Sequence, residues 1–297
     1  MNRVLSWFEL NRRDLPWRKP EAGPWGVLVS EVMLQQTPVS RVRPVYEYWL
    51  SRWPTPAHLA TESLIEVLRA WDRMGYPRRA QRLHEAAQII VSDHGGTVPH
   101  ELNALLALPG VGDYTARAVR CFAWGIPEAV VDTNVRRVVA RAQGGQGEAG
   151  PPRTVADRAS VSTLLETLTD AASQCAGVAG LMELGAIVCK ARAPECSACP
   201  IADLCQWRLA GYPPYEGATA AKQARFEGSD RQVRGIILRE LRSSDTPVPG
   251  AFLRTLWVEE EQFERSLQSL LEDGLIERAP GERDGYRISA SYLGPCE

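Results

Sequence analysis

The sequence predicts a mainly α protein of two or three domains, and three observations carry that prediction. Apolar-periodic stretches separated by Pro, Gly or polar residues run from Met1 to Cys189, the spacing of packed short helices. Leu108-Pro109-Gly110-Val111-Gly112 places one Pro and two Gly between two of those stretches, so a tight hairpin joins two helices there. Four of the seven cysteines fall within one short segment, Cys189 to Cys205. Such crowding has no hydrophobic purpose and points to a metal or cluster site in a reducing compartment, not to disulfides.

Composition narrows the class further. A chain of 297 residues with 44 % hydrophobic residues can bury substantial cores. Met1 to Leu10 reads as the start of an amphipathic helix, not a signal peptide, and no apolar run approaches a membrane span. A soluble cytoplasmic protein with no membrane partner is therefore expected. The net charge is −2, yet residues 1–141 carry 18 Lys and Arg against 14 Asp and Glu, and residues 142–297 carry 16 against 22. Nearly all of the positive charge in the first half is Arg, the side chain suited to bidentate phosphate contact, although solvated helix faces also produce a bias of this size.

Taken in order, Met1 to Arg12 is helical and stops before Asp14-Leu15-Pro16-Trp17-Arg18, a Pro-bearing loop whose Trp17 and Arg18 suit either a DNA edge or, for the indole, a core anchor. Trp25 to Gln36 is apolar nearly all round and hence a buried helix, and Pro38 ends it. Glu31 lies inside it with little polar face available. An unpaired buried carboxylate there holds its proton toward neutral pH, as a general acid must, although buried carboxylates also occur in structural pairs. Helices follow at Pro44 to Trp53, Thr61 to Trp71 and Arg78 to Val91. Asp72 to Arg79 between the last two sets Tyr76 in a Gly/Pro turn beside several Arg, which fits either base stacking or a solvated turn.

Leu102 to Leu108 leads into the hairpin, and Thr115 to Trp124 leaves it. Gly110 and Gly112 tolerate positive φ and leave backbone N–H groups uncovered, while the next helix directs its positive end at the turn. A phosphate fits there, although similar turns also join helices that bind nothing. Asp132 sits where an N-cap belongs, ahead of Thr133 to Arg141. Held by backbone N–H groups it stays ionised, which also suits it to stabilise a developing cation. Gln143 to Arg153 is a Gly/Pro-rich loop, and helices resume at Val155 to Cys175 and Val178 to Cys189. The four-Cys loop can surround one iron–sulfur cluster or one structural zinc; spacing alone leaves both open.

Together these motifs are specific. The Leu108 to Gly112 hairpin followed by the four-Cys loop resembles the helix-hairpin-helix DNA glycosylases that carry a 4Fe-4S cluster. Leu15-Pro16-Trp17-Arg18, Ser30 to Thr37 and Leu181 to Ala186 look like the MutY branch of that superfamily, the adenine glycosylases. The resemblance covers about Met1 to Tyr212. It implies a helical domain at 23–122, a cluster domain built from 1–22 and 123–212, a linker at 213–228 and a small winged-helix-like domain at 229–297.

For activity, the resemblance implies excision of adenine mispaired with 8-oxoguanine or guanine in double-stranded DNA. Glu31 would be the catalytic acid and Asp132 the carboxylate that stabilises the oxocarbenium-like sugar. Tyr114 stands where bifunctional relatives carry a Schiff-base Lys, so a monofunctional enzyme that leaves an abasic site is expected. Gln36 and Tyr76 would wedge into the base stack, Asn134 and Glu183 would line the pocket region, Gly110 and Gly112 would contact phosphate, and Trp17, Arg18 and Tyr114 would belong to the DNA-binding set. Cys189, Cys196, Cys199 and Cys205 would ligate a 4Fe-4S cluster, and a nucleoid-associated monomer is expected.

Two departures stand out: Pro77 and Arg78 after the Gly75-Tyr76 pair, and a C-terminal stretch too short for the Nudix-like domain of many relatives. That stretch reads as helix (Arg231 to Leu241), helix (Phe263 to Asp273) and a hairpin (Ile276 to Ile288) broken by Pro280-Gly281. Its acidic Glu259-Glu260-Glu261 run does not favour DNA. The rival functions are a glycosylase for another mispaired base, such as thymine opposite guanine, and a non-enzymatic iron–sulfur DNA-binding regulator.

Overall fold

The computed structural model describes residues 1–218, 225–280 and 284–290. Part of the expected linker, Gly281 and the seventh cysteine, Cys296, lie outside these residues. In chain order the helices are α1 (Asn2–Asn11), α2 (Gly23–Leu34), α3 (Val39–Arg52), α4 (Pro56–Ala60), α5 (Leu64–Trp71), α6 (Arg78–His94), α7 (Leu102–Ala107), α8 (Asp113–Trp124), α9 (Thr133–Ala142), α10 (Thr154–Leu165), α11 (Ala171–Ile187) and α12 (Gln206–Leu209). After them come α13 (Asp230–Ser243), β1 (Val248–Pro249), α14 (Gly250–Arg254), α15 (Glu260–Glu272), β2 (Ile276–Arg278) and β3 (Gly285–Ile288). Among the described residues no helix is long and apolar enough to cross a membrane.

The chain forms two compact units and changes from one to the other inside α2, between Glu31 and Val32. The first unit holds 1–31, 100–107 and 111–221; the second holds 32–99, 108–110 and 222–297.

In the first unit, Val4 of α1, Val135 and Val138 of α9, Val161 of α10, and Val178, Leu181 and Leu184 of α11 share one buried core. α11 differs from expectation. Val155 to Cys175 does not run as one helix: α10 stops at Leu165, and Asp170 caps a new helix by accepting from Ser173 N at 2.8 Å. The Ala176-Gly177 pair read as a break lies inside α11, because its glycines are contact points. A Cβ on Gly180 would stand 3.1 Å from Val4 Cγ1, and one on Gly177 would stand 2.8 Å from Leu168 Cδ1. The glycines weaken the helix locally but let α1 and the 165–168 turn approach it.

In the second unit, α3 and α5 meet through an indole cluster: Trp49 contacts Trp53 edge-on at 4.9 Å and Trp71 at 5.2 Å. The C-terminal part packs α13 on α15 through buried Val233, Ile237, Phe263, Leu267 and Leu270. Its three short strands form an antiparallel sheet in the order β1-β3-β2, with Val248 opposite Tyr286 and Ile276 opposite Ile288. The helix, helix and hairpin read from sequence are present, and β1 and α14 are additions to them. Two residues of strand and five of helix are too short to show a periodicity.

Candidate active site

Glu31 is 7 % exposed, on the last turn of α2 that belongs to the first unit. Burial lifts its carboxyl to about 7, with the Asp132 charge adding to the rise, while the Tyr114 hydroxyl and the Arg18 charge work against it. The side chain is thus half protonated near neutral pH, as the apolar neighbourhood of the sequence predicted. Tyr114, on the second residue of α8, donates its hydroxyl to Glu31. Burial and the two nearby carboxylates raise the phenol well above its ordinary range, so it keeps its proton and serves as a donor.

Asp132 caps α9, accepting from Val135 N at 2.7 Å and from Asn134 Nδ2 at 2.8 Å. Its carboxyl is nevertheless raised: burial outweighs the two bonds and the Arg137 charge. The hydrogen bonds expected of the cap are present, and desolvation acts against them. Asn134 is fixed in turn by Arg137, which donates to its Oδ1, to Gly185 O and to Cys189 O, each at 2.7 Å. α11 comes close enough at this point that a Cβ on Gly185 would lie 2.6 Å from Asn134 Cβ. The site carboxylate and the start of the four-Cys loop are therefore joined by one chain of contacts within α9 and α11.

Three expected site residues take other places. Trp17 is 8 % exposed and is a core anchor, not a DNA-facing aromatic. Arg18 is turned inward, donating to Glu183 Oε2 at 2.9 Å and to Arg13 O at 3.2 Å, with its guanidinium 5.3 Å from the Phe8 ring. Glu183, expected in the pocket region, is wholly buried and its oxygens are taken up by Arg13 N, Nε and Nη2, each at 2.8 Å, and by Arg18. Burial pushes this carboxyl up, but the bonds from Arg13 and Arg18 overcome that and hold it at about 2. It anchors Arg18, whose charge reaches Glu31.

Replacing Glu183 with Gln is expected to destabilise the protein by about 2 kcal/mol, less than a fully buried pair because Arg13 and Arg18 can partly rehydrate. Equilibrium urea unfolding measures this. Since the carboxyl is depressed in the folded state, its contribution is present above pH ~4.5 and fades as the pH falls toward ~2. The variant should therefore lose its disadvantage in acid.

In the second unit, Gln36 and Tyr76 both adopt left-handed backbone, φ 55° and 49°, which side chains of this size rarely do. One guanidinium holds both turns. Arg79 Nη1 donates to Val32 O at 3.0 Å, Met33 O at 2.9 Å and Gln35 O at 2.5 Å; Nη2 donates to Thr37 Oγ1 at 3.0 Å and Gly75 O at 3.2 Å. It also lies 5.4 Å from the Tyr76 ring. Burial lowers its pKa to about 10, so it stays charged at neutral pH. Gln35, Gln36, Tyr76, Arg78, Arg79 and Arg82 line a cationic cleft of about 250 Å³.

In the hairpin, Gly110 has φ 77° and Gly112 has φ −92°, so only Gly110 needs glycine for its backbone. Gly112 is the N-cap of α8, with open space where a side chain would be.

The four thiols of the loop are half-buried, and none is in a disulfide. Burial and the three neighbouring thiols raise Cys199, which places all four within electrostatic reach of one another. Yet among the described residues no three such donors converge on a single metal ion. Arg141 supplies a second observation. It is 4 % exposed and donates to Gly147 O, Lys190 O and Ala191 O, with Nη1 3.4 Å from Cys189 Sγ. No carboxylate among the described residues pairs with it, so a buried cation waits on the negative charge that thiolate ligands bring. The donor set fits an anionic cluster.

Sequence reasoning missed Arg13, Arg79 and Arg141, whose only signal was the scarcity of Lys in the first half. It read Tyr114 as the absence of an amine and missed its bond to Glu31.

Residues 29–161 match the family model described as HhH-GPD superfamily base excision DNA repair protein, and residues 189–205 match the iron-sulfur binding domain of endonuclease III. Hairpin, buried acid and thiol loop thus fall within one class, the helix-hairpin-helix base-excision proteins. The chain is 51 % identical over 276 residues to an adenine DNA glycosylase of Mycobacterium tuberculosis, covering 93 % of this chain and 89 % of that one. It is 50 % identical over 281 residues to that of Mycolicibacterium smegmatis, covering 94 % and 93 %. The chain belongs to the adenine DNA glycosylase family. The solved structure of a thermostable thymine-DNA glycosylase superposes with a TM-score of 0.62 at 30 % identity, over 70 % of this chain and 94 % of that one.

Proposed function

We propose that this enzyme hydrolyses the N-glycosidic bond of adenine mispaired with 8-oxoguanine or guanine in double-stranded DNA and leaves an abasic site. The observation that carries the reading is Glu31, a carboxyl enclosed in apolar surroundings that keeps its proton up to about pH 7, beside Asp132. As the bond breaks, the base departs with the bonding electron pair and takes up the Glu31 proton. The sugar is left cationic, Asp132 stabilises it, and water adds to the sugar carbon, giving its surplus proton to the Glu31 carboxylate. Asn134 holds Asp132 in place. Tyr114 offers a hydroxyl and no amine, so no Schiff base forms and the strand stays intact.

The target base must leave the duplex to reach a buried acid, and unstacking costs a few kcal/mol. Gln36 and Tyr76, whose strained turns Arg79 holds rigid, fill the gap. Backbone N–H groups at Gly110 and Gly112 contact phosphate at the start of α8. Cys189, Cys196, Cys199 and Cys205 would hold a 4Fe-4S cluster, which when bound ties the loop together through iron–thiolate bonds. Association with the nucleoid follows from the substrate.

The test is single-turnover base release from duplexes pairing adenine with 8-oxoguanine, guanine or cytosine, and thymine with guanine. Adenine release from the first two is expected, with a rate that falls as the pH rises through about 7 because the acid loses its proton. Thymine release without adenine release would assign the enzyme to another mispair, and binding without release of either base would point to a regulator.

A further inference from the structure

The C-terminal segment is used by none of the chemistry above, yet three of its residues converge on one turn of the second unit, Asp72 to Arg78. Arg242 at the end of α13 donates Nη1 to Asp72 O at 2.7 Å and to Leu68 O at 3.2 Å. Arg69 of α5 returns the arrangement, donating Nε to Arg242 O at 2.8 Å and Nη2 to Asp245 Oδ1 at 2.6 Å. Each helix thus has its free C-terminal carbonyls satisfied by an Arg of the other. At the far end of the turn, Arg231 Nη1 lies 3.2 Å from the Tyr76 hydroxyl, and Arg78 pairs at 3.1 Å with Asp273, which Arg234 holds from the other side at 2.5 Å.

The turn needs such support. Asp72 and Tyr76 both have positive φ, 43° and 49°, around Gly75 at 73°. Two strained non-Gly residues within five positions persist only where the surroundings over-determine them. Meanwhile α15, which packs on α13, exposes Glu260, Glu261, Glu264 and Glu272 against one Arg265, a surface that repels a phosphate backbone.

We propose that the C-terminal module is a positioning element for the Tyr76 turn: Arg242 fixes its first carbonyl, Arg231 sets the Tyr76 ring through its hydroxyl, and the module thereby sets discrimination of the base opposite adenine. The proposal rests on the wedge reading of Tyr76 given above. Arg231 is a positioning residue, and the module does not read DNA with α15.

A double-mutant cycle on the full chain tests this. Arg231→Met and Tyr76→Phe should each reduce the preference for adenine opposite 8-oxoguanine over adenine opposite cytosine by on the order of fivefold, and the double variant should lose no more than either single one. Effects that multiply, or an unchanged preference, overturn the proposal. So does a loss of affinity for undamaged duplex in Arg231→Met with a salt slope smaller by about one, since Arg231 would then be a phosphate contact. Hydrogen exchange supplies a readout independent of activity. In Arg242→Met, amides of 72–78 should exchange on the order of tenfold faster while those of α9 stay unchanged; unchanged exchange at 72–78 overturns the proposal. If the wild type releases no adenine, the functional reading fails, and the exchange experiment still decides the positioning claim.

Discussion

Replacing Glu31 with Gln is expected to slow base release by about 10²–10⁴-fold while duplex binding persists. Gln matches the shape and keeps an oxygen for the Tyr114 hydroxyl, but it has no transferable proton. At 7 % exposure it removes no surface charge that could meet phosphate. Single-turnover rates and equilibrium binding on the same duplex separate the two effects; equal losses in both would make Glu31 a structural residue. A stability change of opposite sign should accompany the lost activity. The Glu31 carboxyl is raised to about 7 in the folded state. An unfolded chain ionises it near ~4.5, so its burial destabilises the fold increasingly as the pH rises from ~4.5 to ~7. Above that window Glu31→Gln should be more stable than the wild type by about 3 kcal/mol, and in acid the two should converge. A catalytic group kept at the expense of stability is the expected pattern for an active site.

The second large effect concerns the four-Cys loop. Cys199→Ser should abolish retention of iron and sulfide and destabilise the first unit by about 3–5 kcal/mol, the range for removing the partner of a buried charge. The physical cause is Arg141, 4 % exposed, stacked 4.5 Å from the Trp207 ring and bonded otherwise to carbonyls and to Cys189 Sγ. Without thiolates its guanidinium stays buried with no counter-charge. Arg141→Met in the Cys199→Ser background should therefore add little further loss, whereas in the wild-type background it should weaken cluster retention. Thermal unfolding of the four proteins, with iron and sulfide assays, checks this; full additivity would mean that Arg141 and the thiols do not interact.

Local signals in the chain determined much of this protein. The helices announce themselves by 3.6-residue periodicity, the hairpin by Pro109, Gly110 and Gly112, the cap by Asp132, and the cluster site by four crowded cysteines, because each is written in contiguous residues. Glu31 was legible too, since one carboxylate in an apolar helix has little polar surroundings to draw on.

Charge pairing across the sequence was not legible. Glu183 meets Arg13, 170 residues away, and Arg69 meets the 242–245 turn; nothing near Glu183 in sequence says that its charge is spent. The same holds for Trp17 and Arg18, whose exposure depends on what folds over them. Ala176-Gly177 reads as a break because both residues are small, and Gly177 becomes a contact point because Leu168 arrives from elsewhere. Backbone preference and periodicity are properties of a stretch of chain, so the sequence states them by itself. Desolvation and ion pairing belong to a place in space, and only the tertiary structure creates that place.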